Sequence, residues 1–502
     1  MTRRAPGAAQ VLGAALLALS AATALPAAAQ QPLSASDWLS GSVRGPQRES
    51  SAWRPGDDAP PPRRPAQPQP VAETGEVGPV QVTRLDQGDP DSTGTLTPRR
   101  AGLPPDLWQG SDPEELAQML LATPARLQAM QALMKRVLTA QLLPPAAAAG
   151  AEANGKPRKG QLFLARADRL LDMGALDEAQ ALLLAAGPGE PEVFRRLFDI
   201  ALLEGDEIRA CAIMNGTPGI APSFAARIFC LAQTGDWAAA AVSLHGAESL
   251  GLIDERQAIM LTHFLDDAFV DTDDMLEGAE RMTPLDFRIH EAIGQPLPTP
   301  TLPVAFAQSD LRMNSGFKAR LEAAERLARS GAIPAARLRA IYGEQRPAAS
   351  GGVWERAAVM RTLEAALQTG ELSQALPRAF DEFRAAGMAD LLAAMVAPDL
   401  PEAYPGDGRA AELAGLLRLW HGLPSGLAVT PAPELAAEAP PLPETRLGEA
   451  LLTAMADVDA ALEGDLARAG RGIAMLRALG LLEDAKRAET QITLLPQVRQ
   501  EF

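Results

Sequence analysis

One short motif recurs along the chain, a glycine followed five residues later by an alanine. Its six copies read "GALDEA", "GDEIRA", "GDWAAA", "GAIPAA", "GELSQA" and "GLLEDA". The pairs are Gly174 with Ala179, Gly205 with Ala210, Gly235 with Ala240, Gly331 with Ala336, Gly370 with Ala375, and Gly480 with Ala485. A glycine can take the left-handed conformation that ends a helix, and a small residue early in the next helix lets two helices approach closely. Each copy therefore predicts a corner between two antiparallel helices.

The spacing of these corners predicts the fold class. The first three glycines lie 31 and 30 residues apart, which is the length of a helix pair. Stacked helix pairs form a solenoid. Beyond residue 160, apolar residues recur at helical spacing, whereas the alternating patterns of strands are scarce. We therefore expect an all-α protein, an irregular α-solenoid of antiparallel helix pairs.

The corners resemble those of the tetratricopeptide-like family, in which an apolar residue follows the glycine by two positions and a proline often closes the repeat. The matching apolar residues are Leu176, Trp237, Ile333 and Leu372, and the matching prolines are Pro191 and Pro222. The resemblance covers residues 160–250 well and 320–390 loosely. As a whole, the chain also resembles exported Ala/Pro-rich proteins of alphaproteobacteria.

Composition divides the chain into segments. We predict a signal peptide (1–29), a disordered Pro-rich region (30–103) with a short Trp-containing motif (34–46), a helical hairpin (104–143), a linker (144–160), two helical-repeat blocks (161–294 and 295–428), a Pro-rich linker (429–445) and a C-terminal helical cap (446–502). Because two linkers flank the hairpin, we expect it to be a tethered module rather than part of one globule.

The N-terminus predicts export. Arg3 and Arg4 precede an apolar run from Val11 to Leu25, and small residues at 27–29 form a cleavage site. That run is shorter than the roughly 20 residues that span a bilayer, which favours a cleaved signal over an anchor. We expect a soluble periplasmic protein with no membrane span after cleavage. Its formal charge of -17 argues against binding nucleic acid or anionic lipid.

Residues with the chemistry of metal or redox sites are few. The four histidines, His245, His263, His290 and His421, are far apart, and "HEAIG" has Gly294 where a zinc protease has its second histidine. Cys211 and Cys230 can form a disulfide in an oxidising compartment, or they can be two separately buried thiols. We predict no metal and no cofactor.

Three patterns invite a catalytic or ion-binding interpretation. "SGFK" (315–318) matches the Ser-x-x-Lys of penicillin-binding enzymes but has no Lys-Thr-Gly partner. Glu248 and Ser249 resemble the acid of lytic transglycosylases, without that family's later elements. The acidic run 266–280 has Leu276 where a calcium loop needs glycine, so we expect solvated helix ends or an acidic face for a basic partner. We predict no catalytic residue; a divergent peptidoglycan hydrolase or lytic transglycosylase is the alternative.

The motif at 34–46 places apolar residues in a segment too short to fold alone. Asp37 can cap a short turn that brings Trp38 and Leu39 together, and tryptophan often anchors interfaces. The motif can dock on another envelope protein, dock on its own solenoid, or have no role. We favour the first, and predict a non-enzymatic periplasmic adaptor that binds envelope proteins of a motility, division, secretion or wall-synthesis complex.

Overall fold

In the computed structural model of this protein, the residues described are Trp38 and residues 88–145, 160–266, 275–404 and 408–499. This part of the chain has 21 helices and no strand, and its only β-type pairing is a bridge between Leu96 and Ala140. The prediction of an all-α protein is confirmed. None of the described helices is long and apolar enough to cross a membrane.

The helices of eight or more residues are numbered α1 to α19. They are α1 Pro113–Ala122, α2 Gln128–Thr139, α3 Gln161–Asp172, α4 Leu176–Ala186, α5 Pro191–Glu204, α6 Glu207–Gly216, α7 Phe224–Gln233, α8 Trp237–Ser249, α9 Glu255–Leu265, α10 Pro284–Ala292, α11 Phe317–Arg329, α12 Ala335–Glu344, α13 Val353–Thr369, α14 Leu372–Ala385, α15 Ala389–Val396, α16 Arg409–His421, α17 Leu447–Asp459, α18 Leu466–Ala478 and α19 Leu482–Val498. Short helices cover Pro98–Ala101 and Ala307–Asp310, and single 3-10 turns cover Pro90–Ser92, Thr299–Thr301, Val304–Phe306, Ala397–Asp399, Pro433–Leu435 and Ala460–Glu463.

All six motif glycines lie at helix–helix corners with positive φ, between 74° and 91°. Five of the following helices begin two residues after the glycine, and four of their alanines, at 179, 210, 240 and 485, are buried. Ala375 is half-buried.

The corner at Gly331 differs, because Pro334 delays the start of α12 to Ala335. Ala336 is therefore exposed, and Ala332 and Ile333 provide the buried contacts instead.

The apolar interior forms two clusters. The larger includes residues from α1–α4 and α11–α19, and the smaller is built mainly by α5 to α10. In the smaller cluster, α7 packs against α6, α8 and α9. Helix α5 contributes to both clusters, since Ile200 and Leu203 belong to the larger one while Phe194 and Phe198 belong to the smaller.

The predicted hairpin is part of the main core. Helix α1 packs against α3 and α17, and α2 packs against α3 and α19. Arg136 pairs with Asp484 at 2.5 Å, and the Gly448 N–H donates to the Leu107 carbonyl at 2.8 Å. All described residues belong to one compact unit that begins at Ser34. The structure thus differs from the tethered-module interpretation, because apolar residues of α2 are covered by helices from the other end of the chain.

Two segments predicted as disordered or linker-like are packed in the part of the chain that the structure describes. Asp91 accepts hydrogen bonds from the N–H groups of Phe163 and Gly160, at 2.7 and 3.2 Å, at the start of α3. The fully buried Arg166 guanidinium donates to four backbone carbonyls, those of Asp91, Thr93, Leu138 and Ala140. Leu435, within the predicted linker 429–445, is fully buried.

Candidate functional site

Trp38 lies inside the protein core. Its side chain is 1% exposed, and its indole ring meets the Phe306 ring edge-on, with centroids 5.7 Å apart. Phe306 in turn meets Phe287 of α10 edge-on at 5.4 Å. Edge-to-face contacts of this kind add to the apolar burial of aromatic rings. We call the position beside Phe306 and Phe287 the Trp38 slot.

Phe306 belongs to the segment between α10 and α11, at the predicted boundary of the two repeat blocks. This joint segment (residues 299–312) is held by side chains from several elements. Arg326 donates to the carbonyl of Thr299 at 2.9 Å and to that of Leu302. Gln308 donates to the Gly174 carbonyl at 2.7 Å. Ser309 donates to the Leu203 carbonyl at 2.9 Å. The joint segment therefore connects α11 with the end of α5 and the α3–α4 corner.

The predicted docking residues divide into one that the structure describes and two that it does not. Trp38 is held by its own chain, which is the second of the three interpretations of the motif. Asp37 and Leu39 lie outside the described residues. The structure therefore places the tryptophan against the joint segment rather than in solvent.

A different surface exposes apolar side chains. Seven of the thirteen large exposed apolar side chains of the described residues lie between Ile208 and Ile259. They are Ile208 and Ile213 on α6, Trp237 and Val242 on α8, Leu250 and Leu252 just after α8, and Ile259 on α9. We call this set the α6–α9 surface. Exposed apolar groups in such concentration are typical of interaction sites.

Trp237 is the largest residue of the α6–α9 surface and is 49% exposed. Its ring lies 6.0 Å from that of Phe264, which stacks on the buried Phe229 at 5.3 Å. The aromatic contacts hold one face of the indole in place and leave the rest to solvent. A preorganised, half-exposed tryptophan is a typical interface anchor.

Cys211 and Cys230 form a disulfide that joins α6 to α7, with Cα atoms 4.9 Å apart. Of the two possibilities left open by the sequence, the structure has the bridge. Both residues are fully buried in the smaller cluster. The bridge therefore ties α6, which carries Ile208 and Ile213, to α7, which packs against α8 and α9.

The histidines do not assemble a metal site among the described residues, where no group of three or more potential ligands comes together. His245 is exposed, and His421 is half-buried beside Arg487. His290 is 99% buried, and neither ring nitrogen has a hydrogen-bond partner in the part of the chain described. Burial lowers the pKa of His290, while Asp286 opposes that effect.

The candidate catalytic residues lie in ordinary surface environments. Glu248 is exposed near the end of α8, outside any apolar pocket. Lys318 forms an ion pair with Glu322, and the Ser315 hydroxyl faces the Ser309 carbonyl at 3.5 Å. Of the acidic run, residues 267–274 lie outside the described part of the chain. In the described part of the chain, the geometry does not bring Glu248, Ser315 or Lys318 into a nucleophile–base arrangement.

A small cleft lies where α2, α15, α16 and α19 meet. Its lining includes Gln128, Asp390, Trp420 and Arg499. The Trp420 indole N–H donates to the Gln128 side chain at 3.0 Å, and Gln128 donates to the Asp390 carbonyl at 3.2 Å. The Gln128 and Trp420 side chains are thus engaged in linking α2 with α15 and α16.

Sequence reasoning missed several buried ionic groups. Glu325 accepts hydrogen bonds from the Tyr342 hydroxyl at 2.7 Å and from two Arg356 nitrogens at 2.8 and 2.7 Å. Arg196 pairs with Asp168 at 2.6 Å. In the sequence these residues look like ordinary charged positions of amphipathic helices, and only the packing identifies them as buried structural pairs.

Comparisons with protein-family models, with curated proteins and with solved structures found no match to this chain.

Proposed function

We propose that this protein is a non-enzymatic scaffold that binds a protein partner through the α6–α9 surface. The observation that carries the proposal is the exposure of Trp237. It is the exposed member of a row of three aromatic rings in contact, Trp237, Phe264 and Phe229. Val242 and Leu250, at 74% and 73% exposure, are further exposed apolar side chains on α8 and at its C-terminal end. Helix α8, which carries Trp237 and Val242, packs against α7, and the disulfide ties α7 to α6, so these exposed side chains are available to bind without reorganisation of the helices.

The charge of this region indicates the kind of partner. Between residues 205 and 265 the sequence has six acidic residues and three basic ones, and the acidic run 266–280 follows directly. Apolar anchors in such a net acidic stretch fit a partner with an amphipathic helix whose polar face is basic. We treat the helix pairs as a tetratricopeptide-like scaffold, and the partner as an envelope protein of a motility, division, secretion or wall-synthesis complex.

Export belongs to the same proposal. The predicted signal peptide and the Cys211–Cys230 disulfide are both consistent with the oxidising periplasm. Mass spectrometry of the protein purified from its native host should find the mature N-terminus at Gln30. An intact Met1 terminus in that material would contradict export by a cleaved signal.

The binding surface is testable by site-specific photocrosslinking in intact cells. A photoreactive residue at Val242 should crosslink to one defined partner, and the linked peptide should be basic and amphipathic. The same probe at Leu482 is the control, because Leu482 is 61% exposed on α19 and follows its corner glycine by two residues, as Trp237 does. Trp237→Glu should abolish the Val242 crosslink, and Leu482→Glu should not.

Equal crosslinking from both positions, or a crosslink insensitive to Trp237→Glu, would contradict the proposal. The hydrolase alternative has its own outcome, which is muramidase activity that is lost in Glu248→Gln. We expect no such activity, because Glu248 is exposed to solvent near the end of α8.

A further inference from the structure

We propose that the Trp38 slot is an exchangeable binding site for a tryptophan-bearing peptide, occupied in the structure by the chain's own Trp38. The slot is separate from the α6–α9 surface, so this inference does not depend on the proposed function. Three properties of the slot support it: how its walls are built, how Trp38 reaches it, and what the slot offers chemically.

The aromatic contact of Trp38 in the slot, the Phe306 ring, is fixed without Trp38. Phe306 is positioned by its contact with Phe287 and by the hydrogen bonds of the joint segment with Arg326, Gln308 and Ser309. None of these contacts involves Trp38. The slot should therefore keep its form when the indole leaves. A binding site keeps its form in this way, whereas an ordinary core position does not.

Trp38 reaches the slot from a remote position in the chain. The next described residue is Gly88, so residues 39–87 separate the indole from the segment that Arg166 and Asp91 hold against α3. In this proposal Trp38 is an intramolecular ligand of the slot, and its covalent connection to the chain sets an effective concentration. A second peptide that carries a tryptophan competes with Trp38 for the slot against this effective concentration.

The slot recognises an aromatic side chain by shape rather than by a polar contact. The Trp38 indole N–H is buried and has no acceptor among the described residues. Trp108 also lacks an acceptor, but backbone bonds from Gly448 and Arg446 to Leu107 and Gln109 fix its segment. A buried N–H without an acceptor weakens binding. Among the described residues, the Trp38 indole is thus bound through apolar and aromatic contacts, which suits a reversible ligand.

The test uses the full mature chain and a fluorescent synthetic peptide with the sequence of residues 34–46. Trp38→Ala empties the slot, and the peptide should then bind saturably, at least tenfold more tightly than it binds the wild type. Trp53→Ala is the matched control, since it removes another tryptophan of the N-terminal region and leaves the slot occupied. A peptide with alanine at the Trp38 position should not bind any of the three proteins.

Amide hydrogen exchange provides an independent readout. Exchange in Val304–Asp310 should rise in Trp38→Ala and return to the wild-type level when the peptide is added. Absence of saturable binding to Trp38→Ala, or equal binding to all three proteins, would overturn the proposal. So would loss of the helical circular dichroism signal in Trp38→Ala, because Trp38 would then be an integral core residue.

Discussion

The Asp459 carboxylate accepts a hydrogen bond from the backbone N–H of Leu127 at 3.0 Å. Its second oxygen accepts from the Arg126 N–H at 2.5 Å, and the Gln491 side chain accepts from the Ala129 N–H at 2.9 Å. The first N–H groups of a helix have no partner within the helix. Arg126 and the N-cap residue Leu127 lead into α2, and Ala129 is in its first turn; their partners come from α17 and α19, so helices near the two ends of the described chain stabilise one another.

Replacing Asp459 should therefore destabilise the whole core. Asp459→Ala leaves two N–H groups without their acceptor, and we expect a loss of about 2–4 kcal/mol in the free energy of unfolding. Asp459→Asn keeps one acceptor oxygen and should lose about half as much. Urea denaturation measures both variants.

Glu463→Ala is the control for that measurement. Glu463 is an exposed partner of Arg126, and exposed ion pairs contribute little, so its effect should stay below about 0.5 kcal/mol. Equal losses in Glu463→Ala and Asp459→Ala would show that the cap is not the stabilising element.

Gly472 allows α18 to approach α17 closely. A Cβ atom at this position would lie 2.6 Å from the Ala454 carbonyl oxygen and 2.8 Å from the Val458 nitrogen. Backbone atoms cannot move aside as side chains can, so Gly472→Ala should destabilise the protein by about 1–3 kcal/mol. Gly246→Ala in α8, where a Cβ would meet nothing within 4 Å, should instead stabilise it by about 0.5–1 kcal/mol. A thermal melt that ranks the two variants the other way would contradict this account.

Glu204 should give the protein a pH-dependent stability. Burial raises the pKa of Glu204 to about 7, and the nearby carboxylates of Asp177 and Asp206 act in the same direction. Because the folded-state pKa is raised, the contribution of Glu204 is fully present below pH 4.5 and is lost as the pH rises through 7.

Glu204→Gln should remove this loss. The variant should match the wild type near pH 4.5 and exceed its free energy of unfolding by about 1–3 kcal/mol at pH 8. Urea titrations at the two pH values measure the difference. A constant offset between the proteins would show that ionisation of Glu204 is not the cause.

Removing the disulfide should affect the smaller cluster selectively. Cys211 and Cys230 are 19 residues apart, and closing a loop of this length stabilises a fold by about 3 kcal/mol. In the Cys211→Ser/Cys230→Ser variant, amide exchange should accelerate in α6 to α9. Exchange in α17 to α19 should stay unchanged, and acceleration there would contradict the separation of the two clusters.

The local features of this fold were predictable from the sequence. The spacing of each corner motif is enough to predict that its glycine ends a helix. A left-handed residue at a helix end depends only on a few neighbouring residues. Ala336 shows the limit of that reasoning. Pro334 shifts the start of α12 by two residues, and the alanine then faces solvent.

The long-range features were not predictable in this way. The contact of Asp459 with Leu127 joins residues 332 positions apart, and neither residue has a local pattern that names its partner. The same holds for Trp38, whose aromatic partner lies in a proline-rich segment that looks like a break between repeats. The sequence indicates the α6–α9 surface only weakly. The one sign of it is that α8 carries few charged residues on any face.

The capping of α2 also sets an order of assembly. Helix α2 is synthesised early, but its N-terminal amides meet their acceptors only when residues 459 and 491 have been made. The smaller cluster, with its disulfide between residues 211 and 230, has no such requirement. As the chain is synthesised, the smaller cluster can fold first. The main core can be completed only after its last helices have been made, and it folds slowly because its contacts join residues far apart in sequence.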